Sequence, residues 1–194
     1  MISFALAVFL LVATPGPGNL SAAGVGAAFG FRPGLSYVLG LGLGANLVCV
    51  AVATGLAATV FAIPYVRPVL LILSVAYLTY LAARIAFTGS GVAFTATERH
   101  LGVIDGIIMM TINPKAYAIA TTLFTGFAFM PSDVTAEVLI KFAIFNAIWI
   151  PVHLIWLAVG AWLHRLDLPI RTQRIINVGM AAAMLVVVAL ALLN

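Results

Sequence analysis

Apolar residues run along this chain in six stretches, each long enough for the roughly 20 residues that a helix needs to cross a ~30 Å hydrocarbon core. They are Ile2 to Phe31, Gly34 to Ile63, Val66 to Phe87, Gly102 to Met130, Val138 to Leu163 and Arg174 to Leu193. The first and fourth are long enough to cross even when broken, and both carry a break. Thr14-Pro15-Gly16-Pro17-Gly18-Asn19 interrupts the first and Ile112-Asn113-Pro114-Lys115 the fourth. Proline removes a backbone donor and clashes with the preceding turn, so each break frees polar backbone groups where no water is available. Such groups survive in a bilayer only against protein or a wet cavity. Interrupted helices at matching places in two halves point to the binding site of a transporter.

The stretch Thr88 to Leu101 (TGSGVAFTATERHL) divides the spans into two sets of three. Three is odd, so tandem three-helix units must lie inverted with respect to one another. The expected fold is an all-α integral membrane protein of six transmembrane helices. It consists of two inverted three-helix repeats, residues 1–87 and 102–194, joined by a cytoplasmic linker over 88–101 in a single membrane domain. No sequence identity relates the halves; the repeat rests on the segment pattern. Basic residues then set the direction. One side receives Arg32, Arg84, Arg99, Arg165, Arg171 and Arg174, and the other Arg67 and Lys141. The richer side is expected to be cytoplasmic, with both termini outside.

Composition agrees with this reading and removes others. Of the 194 residues, 64% are hydrophobic and 7% charged, against about 25% charged in a soluble domain. The net charge of +4 is spread over the ends of apolar runs and is not clustered on one face, so no nucleic-acid partner is expected. The single cysteine, Cys49, excludes an intramolecular disulfide and a dithiol relay. The N-terminal stretch lacks a positive n-region and continues through the Pro-Gly break, so it is read as retained. No two acidic residues share an apolar stretch, and no His/Cys/carboxylate cluster has metal-ligand spacing. No catalytic pair, metal or cofactor is therefore expected.

The chemistry lies at the breaks. Asn113 is a good N-cap and Pro114 suits a first helical position, so a half-helix should start there with its positive end toward the membrane interior. Pro15 falls at a comparable depth, and two such ends from antiparallel units would make an anion site suited to a carboxylate. Lys115 is the basic residue deep in an apolar stretch. Either it holds a substrate carboxylate, or it donates to carbonyls freed by the first break. Asn46 and Asn146, in equivalent helices of the two units, either line the cavity or make hydrogen bonds between helices. His153 follows Pro151 in the fifth stretch and either relays a proton or is a neutral core group. Gly40-x-Gly42-x-Gly44 reads as a close-packing face, and Trp149, Trp156 and Trp162 as belt or packing residues.

Three motifs carry a resemblance: TPGPGN at Thr14 to Asn19, AYLTYLAARIA at Ala76 to Ala86, and INPKAY at Ile112 to Tyr117. With them the chain resembles, over essentially its whole length, the lysine exporter (LysE/RhtB-type) family of bacterial amino-acid exporters. The resemblance implies export of an amino acid or close derivative across the bacterial inner membrane, powered by the proton gradient. Its functional carry-over falls on Pro15, Gly16, Pro17, Asn19, Asn113, Pro114 and Lys115. Two departures stand out. Gly18 occupies a place where the family often has Asn or Asp, and Asn46 lies where some members carry an acidic residue. With no carboxylate deep in a span to pair a cationic side chain (Asp105 stands at the cytoplasmic start of the fourth stretch), a neutral substrate is expected. Asp105 and His153 are the candidate proton carriers.

The expected substrate site is therefore Thr14 through Asn19, Asn46, Asn113 through Lys115, and Asn146. Expected partners are an amino acid, protons and the bilayer, with small-residue faces that permit a homodimer. The competing readings are a permease for another small solute or a cation, which would need carboxylates or several histidines along its path, and an intramembrane enzyme, which would need a nucleophile–base pair or metal ligands.

Overall fold

The computed structural model describes residues 1–87 and 101–166, together with 169, 171–172, 174–176, 178–179, 182–183 and 186. The linker, apart from Leu101, and much of the sixth stretch lie outside the described residues. Every assigned element among the described residues is a helix. α1 (Ile2–Ala13) and α2 (Pro17–Phe29) form the first stretch, bent by 53° at the break. Pro17 opens α2 where the helix has no intrahelical N–H bond to lose. Gly30, at φ 83°, then turns the chain back into α3 (Phe31–Ala53), in a conformation that a side chain would strain.

The second stretch departs from the expected single run. It stops at Ala53, and Gly55 (φ 77°) starts a separate short helix, α4 (Leu56–Phe61). α5 (Val66–Phe87) is the third stretch, and α6 (Val103–Thr111) with α7 (Pro114–Gly126) is the fourth, broken at Ile112 and Asn113. α8 (Val134–Arg165) begins ahead of the expected Val138 because Asp133 caps it, accepting the Ala136 N–H at 2.9 Å. It runs through Pro151 as one helix of 32 residues, about 48 Å long. Helices α3, α5 and α8 each contain a run long and apolar enough to cross a membrane, and the bent α1–α2 pair makes a fourth by the same measure. The outer faces carry exposed Leu6, Leu39, Leu47, Ile155 and Trp162. So much apolar surface suits hydrocarbon better than water.

The bundle has two unlike ends. At one, α2 lies on the C-terminal part of α8, and α6 lies on the N-terminal part of α3, backbone to backbone. A Cβ on Gly160 would run into the Ala23 carbonyl, and one on Gly26 into that of Leu157. In the other pair, Gly40 faces the Val103 carbonyl and Gly106 that of Tyr37 with equally little room. Small residues permit this approach between membrane helices. At the opposite end, α1, α7 and the start of α8 meet through bulky side chains. Phe4 packs on Phe127 and Phe129, with ring centroids 5.7 and 5.9 Å away. The two breaks lie between these ends.

Candidate functional site

At the first break, α1 leaves carbonyl oxygens without intrahelical partners, as every helix C-terminus does. Three side-chain donations from outside α1 meet them. The Asn19 amide, from the third residue of α2, donates to the Val12 carbonyl at 2.9 Å and folds the break back on itself. Lys115 donates across from α7, its Nζ 2.7 Å from the Thr14 oxygen and 3.4 Å from that of Pro15. Gly16, in extended backbone, makes room for this reach: a Cβ there would stand 2.8 Å from both Cδ and Nζ of Lys115.

The second break is capped from within. Asn113 is buried, and its Oδ1 accepts the Lys115 N–H at 3.0 Å while Pro114 takes the first helical position. The Tyr117 hydroxyl donates to the Thr111 carbonyl at 2.8 Å and so satisfies one acceptor freed at the end of α6. The same short motif thus starts α7, aims Lys115 at the other break and covers its own loose carbonyl.

Between the breaks lies a small cavity of about 40 Å³, room for about three waters. Gly16, Gly18, Asn19, Asn113, Lys115 and His153 are on its wall, with apolar Ala45, Cys49, Ala116, Ala120, Phe145 and Trp149 around them. His153 is 2% exposed. Its ring stacks on Trp149 with centroids 3.6 Å apart, and its Nδ1 lies 3.0 Å from the Trp149 carbonyl oxygen. Lys115 is the sole charged residue on the described wall.

The family model of the LysE type translocators matches residues 9–194, a range that takes in both breaks. The chain belongs to that family. No curated protein and no solved structure matches it. As a LysE type translocator it is a multi-pass membrane protein and a transporter, moving an amino acid or related solute outward across the bilayer. Its elements then sort into those at the breaks and those that hold the bundle together.

Asn46 and Asn146 fall in the second group. Each donates its amide to the other's oxygen at 2.9 Å, and each also donates to the carbonyl four residues earlier in its own helix, Gly42 at 2.8 Å and Phe142 at 2.9 Å. Neither lines the cavity. Of the two roles open to them in the sequence, the bond between helices is the one made. Asp105 also stands away from the cavity, where its carboxylate accepts the Gly102 N–H at 2.8 Å and caps α6, while its carbonyl takes the Tyr77 hydroxyl at 3.0 Å. Thr14 and Pro15 offer Lys115 their carbonyls, and the Thr14 hydroxyl donates back to the Leu10 carbonyl at 2.5 Å.

Sequence patterning missed several features of this translocator. Trp149, read as packing, is a cavity wall; its place four residues before His153 on one helix was the available signal. Lys141, counted among interfacial basic residues, is buried. It pairs with Glu137 at 2.8 Å and donates to the Phe124 carbonyl at 3.0 Å, at the C-terminal end of α7. Glu137 in turn accepts the N–H groups of Phe129 and Met130. The expected fifth stretch began one residue after Glu137, which hid this carboxylate and its partner one turn away. Removing Lys141 from the charge count leaves its direction unchanged.

Proposed function

We propose that this translocator exports a neutral amino acid or close derivative across the bacterial inner membrane by alternating access, driven by the proton gradient. The observation that carries the reading is the meeting of the two breaks: a lysine from the start of one half-helix rests on carbonyls at the end of another, as the sole charged residue on the described wall of the cavity between them. Substrate entering from the cytoplasm places its carboxylate at the half-helix N-termini and draws Lys115 away from the Thr14 oxygen. The substrate ammonium takes over the carbonyls around Thr14 to Gly16. Lys115 thus serves as substrate partner and as placeholder in turn.

A cavity of about 40 Å³ is too small for an amino acid with a side chain, so loading requires the two halves to move apart. That requirement suits rocking of residues 1–87 against 102–194 as two inverted three-helix units around the breaks. The Asn46–Asn146 pair, reciprocal in every bond, supports an approximate two-fold relation between α3 and α8. Both termini face outward by the basic-residue bias. The absence of a carboxylate on the described wall supports a neutral side chain. Asp105 serves as a helix cap in this conformation, which leaves His153 as the better-placed of the two proton carriers; the small-residue faces leave room for a homodimer.

The test is efflux from cells expressing the protein and preloaded with labelled neutral or cationic amino acids, with Lys115→Ala as control. Faster efflux of a neutral amino acid, lost in the control, is the expected result. Faster efflux of arginine over all neutral substrates, or full activity of Lys115→Ala, would contradict the reading.

A further inference from the structure

We propose that His153 recognises the α-ammonium of the substrate through Nε2, and that this contact makes the transporter select amino acids over carboxylic acids lacking the amino group. The inference rests on the exporter reading and assigns one pole of its site. A carbonyl oxygen only accepts hydrogen bonds. With Nδ1 3.0 Å from the Trp149 oxygen, Nδ1 therefore carries the proton of the neutral ring, and Nε2 is left with a lone pair and no hydrogen. The stack on Trp149 holds the ring in that orientation. Nε2 is turned toward Gly18, 3.7 Å from where a Cβ on that residue would stand. Among the described residues no group pairs with it. A nearly buried acceptor on a cavity wall is thus offered to the contents of the cavity.

The partner chemistry follows. A carboxylate brings acceptors only and would face the Nε2 lone pair unfavourably. An ammonium brings three N–H donors, enough for the carbonyls at the first break and for Nε2 together. The carboxylate of the same molecule is one carbon away, and the start of α2 and Lys115 stand on the same wall to receive it. Gly18 keeps the space in front of Nε2 open, since any longer side chain there would enter it. A substrate without the amino group leaves the acceptor unpaired, and sites built around a hydrogen-bonding group reject analogues lacking it strongly.

The test titrates the purified protein in lipid nanodiscs with the neutral amino acids and, for each that binds, with the same acid lacking its amino group. The wild type should prefer the amino acid by at least about 100-fold. His153→Phe, which keeps an aromatic ring on Trp149, should weaken amino-acid binding about 10- to 100-fold while leaving the deaminated acid nearly unchanged, so that the preference collapses. His153→Gln, which retains an acceptor oxygen, should keep most of it. A preference untouched by His153→Phe, or equal loss for both ligands, would overturn the proposal and leave the exporter reading standing. Binding of no neutral amino acid would overturn both. Should the variants fail to fold, the wild type labelled with ¹⁵N in its three histidines gives the same answer. One Nε2 resonance should move on adding the amino acid and stay in place with the deaminated acid; no such movement would overturn the proposal.

Discussion

The two ends of the bundle are built from the same helices in opposite ways. Where α2 meets α8 and α6 meets α3, glycines bring backbone against backbone, and there is no room for another atom. Past the breaks, Lys115 of α7 and Phe145 and Trp149 of α8 stand between the helices, and a cavity remains. The breaks make this difference possible. A continuous helix would carry one packing distance along its length, whereas a bend of 53° between α1 and α2 lets one half seal while the other stands off. The sealed end thus holds little chemistry and the open-packed end holds nearly all of it.

The strongest way to break this contrast is to put side chains into the seal. Gly160→Leu should force α8 off α2, at a cost of about 3 kcal/mol or more, read as loss of folded protein in the membrane and earlier denaturant unfolding. Gly126→Ala, at a glycine with nothing within 4 Å, should change stability by less than about 0.5 kcal/mol. Equal tolerance at both positions would remove the distinction between the ends.

At the cavity the expected effects fall on transport. Lys115→Ala should lower efflux by about 10- to 100-fold, the range for losing one hydrogen bond to a charged group, with the folded yield kept. A loss of folded protein in proportion to activity would make Lys115 a strut between the breaks and nothing more.

How much of this was legible in the sequence depends on which force sets each feature. Both breaks were readable because proline and asparagine act locally: Pro17 and Pro114 each sit at the first position of a half-helix, as their chemistry requires. The stop at Gly55 was not, since an isolated glycine in an apolar run leaves its dihedral open and here it takes φ 77°. The partners of Asn46, Lys115 and His153 depend on which helices meet. Asn46 finds Asn146 a hundred positions away, which no periodicity encodes, whereas the reach of Lys115 to the carbonyls of the first break was one of the two readings its position allowed. Lys141 was misplaced for a related reason. Charge alone cannot tell an interfacial lysine from one that is paired and buried two turns into a helix.

Smaller effects sharpen the comparison. Asn46→Leu should cost about 0.6–1.7 kcal/mol, the range for hydrogen bonds between membrane helices. Asn46→Leu with Asn146→Leu should cost less than the sum of the single changes, since the first already removes the shared bonds; thermal unfolding in detergent measures both. Strict additivity would mean that the reciprocal pair is not coupled. Smallest of all is Gly16→Ala. Its Cβ would crowd the flexible end of Lys115, which can shift, so a change in apparent KM of about threefold with unaltered unfolding is expected.

The most direct measurement uses Cys49, the chain's one cysteine, on the cavity wall and 2% exposed. Its rate of alkylation by a small maleimide reports opening of the cavity. A neutral amino acid that the protein exports should slow that rate with saturation, and arginine at the same concentration should leave it unchanged. An alkylation rate indifferent to every exported substrate would mean that the solute passes elsewhere, and the cavity between the two breaks would not be the transport site.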